Sequence, residues 1–150
     1  MNTADGPRPF LLDSMILLAP LLEGDPLQPT ANKLLEEIRK GKITAVCSVV
    51  SLQEVAYVLK REHRTPEQIR ESVRLLRTIP NLGWLALTPK SADRAFEWMP
   101  RYGTALSDSL LAATVEEAGL AGIVTADDDF KRLPDITIFS PQQALGSRKP

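Results

Sequence analysis

"LSDSLLAATVEEAGLAGIVTADDDF", residues 106–130, changes character twice within a short span. Its first part is rich in Ala and Leu and stops at Gly119, which predicts a helix closed by a glycine. Residues 121–125, "AGIVT", are a short apolar run of strand length. Three carboxylates follow at Asp127, Asp128 and Asp129, with no base between Ile123 and Phe130. Helix, strand and acidic turn in that order is the closing part of a helical crossover between parallel strands.

The same alternation runs outward in both directions. "FLL" (10–12) predicts a first strand ending at Asp13, with a helix from about Ser14. "ANKLLEEIRKG" (31–41) has an amphipathic pattern with its stop at Gly41. "ITAVC" (43–47) predicts a second strand, and the helix after it carries Val50, Leu52, Val55, Val58 and Leu59. Thr65 and Pro66 are the N-cap and first residue of a further helix, on which Ile69, Val73 and Leu76 share a face. "LGWLAL" (82–87) predicts a third strand, Pro89 opens the next helix, and "ITIF" (136–139) predicts the fifth strand. Right-handed crossovers then give an α/β three-layer sandwich with a short, mostly parallel central sheet and helices on both faces.

No repeat, linker or low-complexity segment divides the 150 residues, so a single domain over 1–150 is expected, with its core at about 9–141 and frayed ends at 1–8 and 146–150. The net charge is −1 and the pI about 5.9, so any contact with nucleic acid needs a local basic patch. Cys47 is the only cysteine and sits in an apolar run, which predicts a small core residue and excludes a cysteine metal site. His63 is the only histidine, which counts against a Ser/His/Asp hydrolase or a His-rich zinc site. The glycines form no phosphate loop. "FLLDSMILLAPLL" (10–22) is interrupted by Asp13 and Pro20 and no cleavage site follows, so neither a signal peptide nor a membrane span is expected, and the chain is read as cytoplasmic.

Ligands of parallel sheets bind outside the carboxyl ends of the strands. Asp13 directly follows the first strand, and Asp127 lies just past the fourth, after Thr125. Glu54 is on the helix after the second strand, and Asp108 is in the first turn of the helix that leads into the fourth. Each has an ordinary explanation too. Glu54 completes a capping-box pattern with Ser51 in "SLQE". Asp108 suits a helix N-terminus, and Asp127 suits the start of a short helix "DDDFKRL". Asp13, with apolar neighbours on both sides, must reach the surface or find a partner. Gathered on one edge, the four change meaning. Two carboxylates about 4 Å apart repel by roughly 4 kcal/mol at an effective dielectric near 20. Such a cluster needs a cation or raised pKa values, and an all-oxygen ligand set points to magnesium or manganese.

The motifs carrying these acids resemble those of the PIN-domain nucleases, in particular the VapC-like toxins of toxin–antitoxin pairs. "FLLDSMILL" looks like the family's opening strand, "SVVSLQEVAYVL" like its second motif, and residues 106–133 like its third and fourth. "ITIFSP" looks like its closing strand, so the resemblance covers residues 9–141. It implies Asp13, Glu54, Asp108 and Asp127 as catalytic acids and metal ligands. Asp129 would be an accessory ligand, and Ser14 and Thr125 would orient the carboxylates or a bound water. Met15 departs from the pattern, since many members are polar there, and Asp128 is an extra acid read as solvent-facing. The implied activity is Mg2+- or Mn2+-dependent hydrolysis of RNA phosphodiester bonds. The implied partners are an antitoxin that covers the acids and a second copy of the chain.

Arg101 and Tyr102, shortly before Asp108, are candidates for contact with substrate. Arg70, Arg74 and Arg77 lie on one side of their helix, either as a basic patch or as partners of Glu67 and Glu71. Trp84 and Trp98 read as core residues. Within the resemblance, a non-toxin RNA-processing nuclease is the alternative to the toxin. Two other classes stay open: a silent binding module on the same fold, and a phosphoryl-transfer enzyme with Asp13 as nucleophile. The latter calls for a second Asp where Met15 stands.

Overall fold

The computed structural model describes residues 6–150, so the predicted fraying of residues 1–5 lies outside the described residues. Five strands form one parallel sheet: β1 (Phe10–Leu12), β2 (Ala45–Ser48), β3 (Leu82–Leu85), β4 (Gly122–Val124) and β5 (Ile138–Phe139). Their order is β3-β2-β1-β4-β5. Seven helices surround the sheet: α1 (Ser14–Leu18), α2 (Gln28–Arg39), α3 (Val50–Arg61), α4 (Pro66–Arg77), α5 (Pro89–Tyr102), α6 (Leu106–Ala118) and α7 (Pro141–Gly146). The expected sandwich is the architecture found.

Alternation along the strands divides the core. Leu12, Ala45, Cys47 and Val124 turn to one face, where α1 to α4 and α7 cover them. Leu11 and Ile123 turn to the other, under α5 and α6. One residue of register would exchange these sets, so burial on both faces fixes the pairing of Leu11 with Val46 and Ile123. Gly122 lets β4 approach β5 closely, because a Cβ there would collide with the carbonyl oxygen of Thr137.

The chain winds from β1 through β2 to β3 and then crosses back to β4 on the other side of β1. The winding reverses between β1 and β4, and the crevice beyond their carboxyl ends is where parallel sheets bind ligands. Asp13 and Thr125 stand there, one residue past the ends of β1 and β4.

Several boundaries differ from the expectations. α2 starts three residues early, at Gln28, with Pro29 in its first turn. β3, β4 and β5 are shorter than their apolar runs, although the Ala121 and Thr125 amides that flank β4 still donate to the Pro9 and Phe139 carbonyls at 2.9 and 3.0 Å. α7 was not foreseen. Ser140 and Gln143 form a capping box that starts it, and Ala144 and Leu145 bury against the α2 side of the core. Beyond it, the Lys149 amide donates to the Lys42 carbonyl at 2.9 Å, which ties down the end of the chain. Cys47 is buried and free, as expected. No described helix is long and apolar enough to cross a membrane.

Candidate active site

The acids are linked through two hydroxyls. Asp13 caps α1, and its Oδ1 accepts the Ser14 amide at 2.7 Å. Its Oδ2 accepts the Thr125 hydroxyl at 2.7 Å, which ties β1 to β4 across the crevice. The Ser14 hydroxyl donates to Glu54 Oε2 at 2.9 Å, joining α1 to α3. Thr125 Oγ1 also accepts the Asp127 amide at 3.0 Å, and Asp127 Oδ1 accepts the Asp129 amide at 2.9 Å. Asp127 therefore caps the 3-10 turn Asp128–Arg132, which takes the place of the expected short helix.

Asp108 enters from the third position of α6, whose start is held by a buried Thr104–Ser109 hydroxyl pair 2.6 Å apart. Carboxylate oxygens of Asp108, Asp127 and Asp129 lie within 4.8 Å of one another. Burial, then the charges of Asp13, Asp127, Glu54 and Asp129, push the Asp108 carboxyl up to about 7. Burial also raises Asp13, against the pull of its Thr125 and Ser14 hydrogen bonds. Burial raises Glu54 as well, with Asp13 adding to it. Asp108 feels the charges of all four other acids, Asp13 that of Asp127 and Glu54 that of Asp13, so the four separate acids of the sequence, with Asp129, form one cluster.

The capping-box reading of Glu54 is overturned. Ser51 lies inside α3, its hydroxyl has no partner among the described residues, and the helix begins at Val50, whose amide is accepted by Ser48 Oγ at 3.2 Å. Glu54 turns instead toward Ser14, and its other oxygen, Oε1, is buried with no hydrogen-bond partner among the described residues. Asp128 is solvent-facing as expected and pairs with Lys131 at 2.7 Å. The cation nearest the cluster is Arg132, 3.8 Å from Asp129 on its exposed rim.

Met15 has a role that spacing does not reveal. Its sulfur accepts the Ala126 amide at 3.2 Å and so supports the turn between Thr125 and Asp127. Arg101 and Tyr102 line a separate cleft of about 370 Å3 with Arg8, Trp98 and Leu120, the Arg101 guanidinium lying 5.3 Å from the centre of the Tyr102 ring. The structure gives them no hydrogen bond to the acids. On α4, Arg74 pairs with Glu71 at 2.6 Å and Arg77 lies over the Trp84 ring, so the pairing reading holds for Arg74. Trp98 is buried in the core under α5 and α6, and Trp84 is half-buried against the core on the other face of the sheet.

An oxygen-only, base-poor cluster suits a divalent cation. The orphaned, buried Oε1 of Glu54 fits this, because a buried carboxylate oxygen without a donor is costly unless something positive meets it. The fold and the cluster define a parallel α/β domain with an acidic site at its topological switch point. The model of the PIN domain matches residues 10–136, and the chain belongs to the PIN domain family, a family of nucleases.

No curated protein sequence is significantly similar to the chain. Among solved structures, the chain is similar to VapC20 of Mycobacterium tuberculosis, described as a Sarcin-Ricin loop cleaving toxin, at 20% identity and a TM-score of 0.69, over 85% of this chain and 96% of that one. It is similar to VapBC2 from Rickettsia felis, bound to a fragment of its promoter DNA, at 20% identity and a TM-score of 0.67, over 87% and 97% of the two chains. A toxin–antitoxin complex from Klebsiella pneumoniae gives 22% identity and a TM-score of 0.63, over 88% and 97%. At these identities the likeness is one of fold.

Proposed function

We propose that the chain is a metal-dependent endoribonuclease, the toxin of a toxin–antitoxin pair. The observation that carries this reading is the convergence of Asp13, Glu54, Asp108, Asp127 and Asp129 at the switch point, with a buried Glu54 oxygen unsatisfied. Asp13, Glu54, Asp108 and Asp127 would hold Mg2+ or Mn2+, and Asp129 would assist from the rim. When bound, such an ion polarises a phosphate oxygen and lowers the pKa of a water.

The chain's own groups prepare the site. Thr125 and Ser14 each give their single hydroxyl proton to a carboxylate, which fixes Asp13 and Glu54 in orientation. Asp108 holds a proton up to about pH 7 and must release it before it can act as a ligand. Arg101 and Tyr102 would meet the substrate in their cleft, away from the cut. A cognate antitoxin would cover the acids, a second copy of the chain would complete a homodimer, and the work would be cytoplasmic. The fold shared with toxin–antitoxin complexes supports the partner.

The test is purified chain, free of partner, incubated with structured and single-stranded RNAs in Mg2+, Mn2+ or EDTA, beside Asp13→Asn and Asp108→Asn. Cleavage that needs metal and is lost in both variants supports the reading. No cleavage together with no ion binding by calorimetry sinks it in favour of a silent binding module.

A further inference from the structure

On α3, Tyr57 follows Glu54 by three residues and Arg61 follows Tyr57 by four, so the three side chains share one strip of the helix. Tyr57 is 62% exposed, the most exposed large apolar side chain among the described residues. The Arg61 guanidinium lies over its ring, 6.0 Å from the centre. Among the described residues no carboxylate pairs with Arg61. Tyr57 also borders a groove of about 340 Å3 between α3 and α6, with Val50 and Val58 on one wall and Leu106 and Leu110 on the other. Glu54 lines the same groove, as does Ser107, the residue before Asp108, so the groove borders the acid cluster at Glu54.

We propose that Tyr57 and Arg61 form a subsite for one nucleotide of single-stranded RNA beside the cut, with its base on the Tyr57 ring and its phosphate facing Arg61. The assignment rests on the nuclease reading. Five acids repel a polyanion, so the strand needs a cation close along its path. Arg61 is seven residues from Glu54, roughly 10 Å along the helix axis, about the reach of a neighbouring nucleotide. An aromatic face beside a guanidinium stacks a base and attracts its phosphate together, and the apolar walls suit the base's faces. In duplex RNA those faces are already stacked, so the strand that fits is single. The Arg61 guanidinium beside Tyr57, with no carboxylate partner among the described residues, favours this anionic occupant over a purely apolar segment of protein.

The experiment is steady-state cleavage of a single-stranded oligoribonucleotide by wild type, Tyr57→Ala, Tyr57→Phe and Arg61→Ala. Anisotropy binding of the same oligonucleotide to Asp108→Asn, alone and combined with Tyr57→Ala, accompanies it, and light scattering reports the mass of every variant. Tyr57→Ala is expected to raise KM about tenfold with kcat little changed, while Tyr57→Phe keeps the wild-type KM. Arg61→Ala should raise KM and flatten its dependence on salt. Unchanged KM and binding in Tyr57→Ala, with wild type still cutting, overturns the subsite and leaves the nuclease standing. If Tyr57→Ala alters the oligomeric mass and not KM, the groove is a contact between copies and the subsite falls. If wild type neither binds nor cuts the RNA, both readings fall.

Discussion

Carboxylates meet opposite fates on α2 and at the switch point. Glu36 is exposed on α2, where Arg39, three residues on, holds it by two hydrogen bonds of 2.8 and 2.9 Å and lowers its carboxyl to about 2. Asp108 is half-buried among four other acids, and burial with their charges lifts it to about 7. The first arrangement is electrostatically relaxed and local, and α4 repeats it with Glu71 and Arg74. The second is assembled from β1, α3, α6 and the turn after β4, and it works against the folded protein. A domain that gathers acids at such cost, when it can pair them with arginines elsewhere, keeps them for what they bind.

The strongest way to break this comparison is to remove a member of the cluster. Asp108→Asn or Asp13→Asn should lower metal-dependent cleavage by more than ~100-fold, above the loss usual for supporting residues around a metal. Asp108→Asn should leave the metal-free fold at least as stable at pH 8, because it deletes a carboxylate that its neighbours repel. Thermal melts beside the RNA assay check both. An Asp108→Asn protein that unfolds more easily than wild type at pH 8 would mean the acids stabilise one another through contacts the structure does not show.

The pH profile sharpens the contrast. Between the ordinary value of 3.8 and about 7, the folded chain keeps a proton on Asp108 that the unfolded chain has lost. Stability contributed by that proton is fully present below 3.8 and is lost as pH rises through about 7. Metal-free protein should therefore lose stability from pH 4 to 7 at this site, and Asp108→Asn should flatten that part of the profile. Mg2+ competes with the proton, so its affinity should climb over the same window and restore the melting temperature above it. Titration calorimetry in two buffers of different ionisation enthalpy would count the proton released.

A smaller loss is expected one step back from the acids. Ser14→Ala leaves Glu54 without its hydroxyl donor, and its cost should be about tenfold in metal affinity or cleavage, with Ser14→Thr largely restoring it. Loss of folding in Ser14→Ala with no rescue by Thr would make the serine a packing residue.

How much of this could be read from the sequence follows from how far each interaction reaches. Strand ends are local features, so Asp13 and Asp127 could be placed at the sheet edge, and the glycine stop at Gly119 fixed the helix that carries Asp108. The links between the acids are not local. Ser14 meets Glu54 across forty residues, and Thr125 meets Asp13 across more than a hundred. The pattern "SLQE" suggested a local cap, but α3 begins one residue before Ser51, and tertiary contact with Ser14 decided where Glu54 points. α7 escaped because six residues carry too little periodicity, although its Ser140–Gln143 capping box was present in the letters. Met15 stood out only as a departure from its family's motif, and its sulfur turns out to accept a loop amide.

The smallest effect belongs to the relaxed side of the comparison. Glu71 and Arg74 are both more than half exposed, and their pair lies 2.6 Å apart on the outer side of α4. Solvent screening and the entropy of two long side chains offset most of the attraction in such a pair. Glu71→Gln should thus shift the melting temperature by about a degree or less and leave metal-dependent cleavage unchanged. The same charge removed at Asp108 is expected to lower cleavage by more than ~100-fold while relieving repulsion in the metal-free fold. If Glu71→Gln lowered cleavage, the freed Arg74 would be reaching the substrate path, and the line between surface acids and site acids would have to be drawn on the far side of α4.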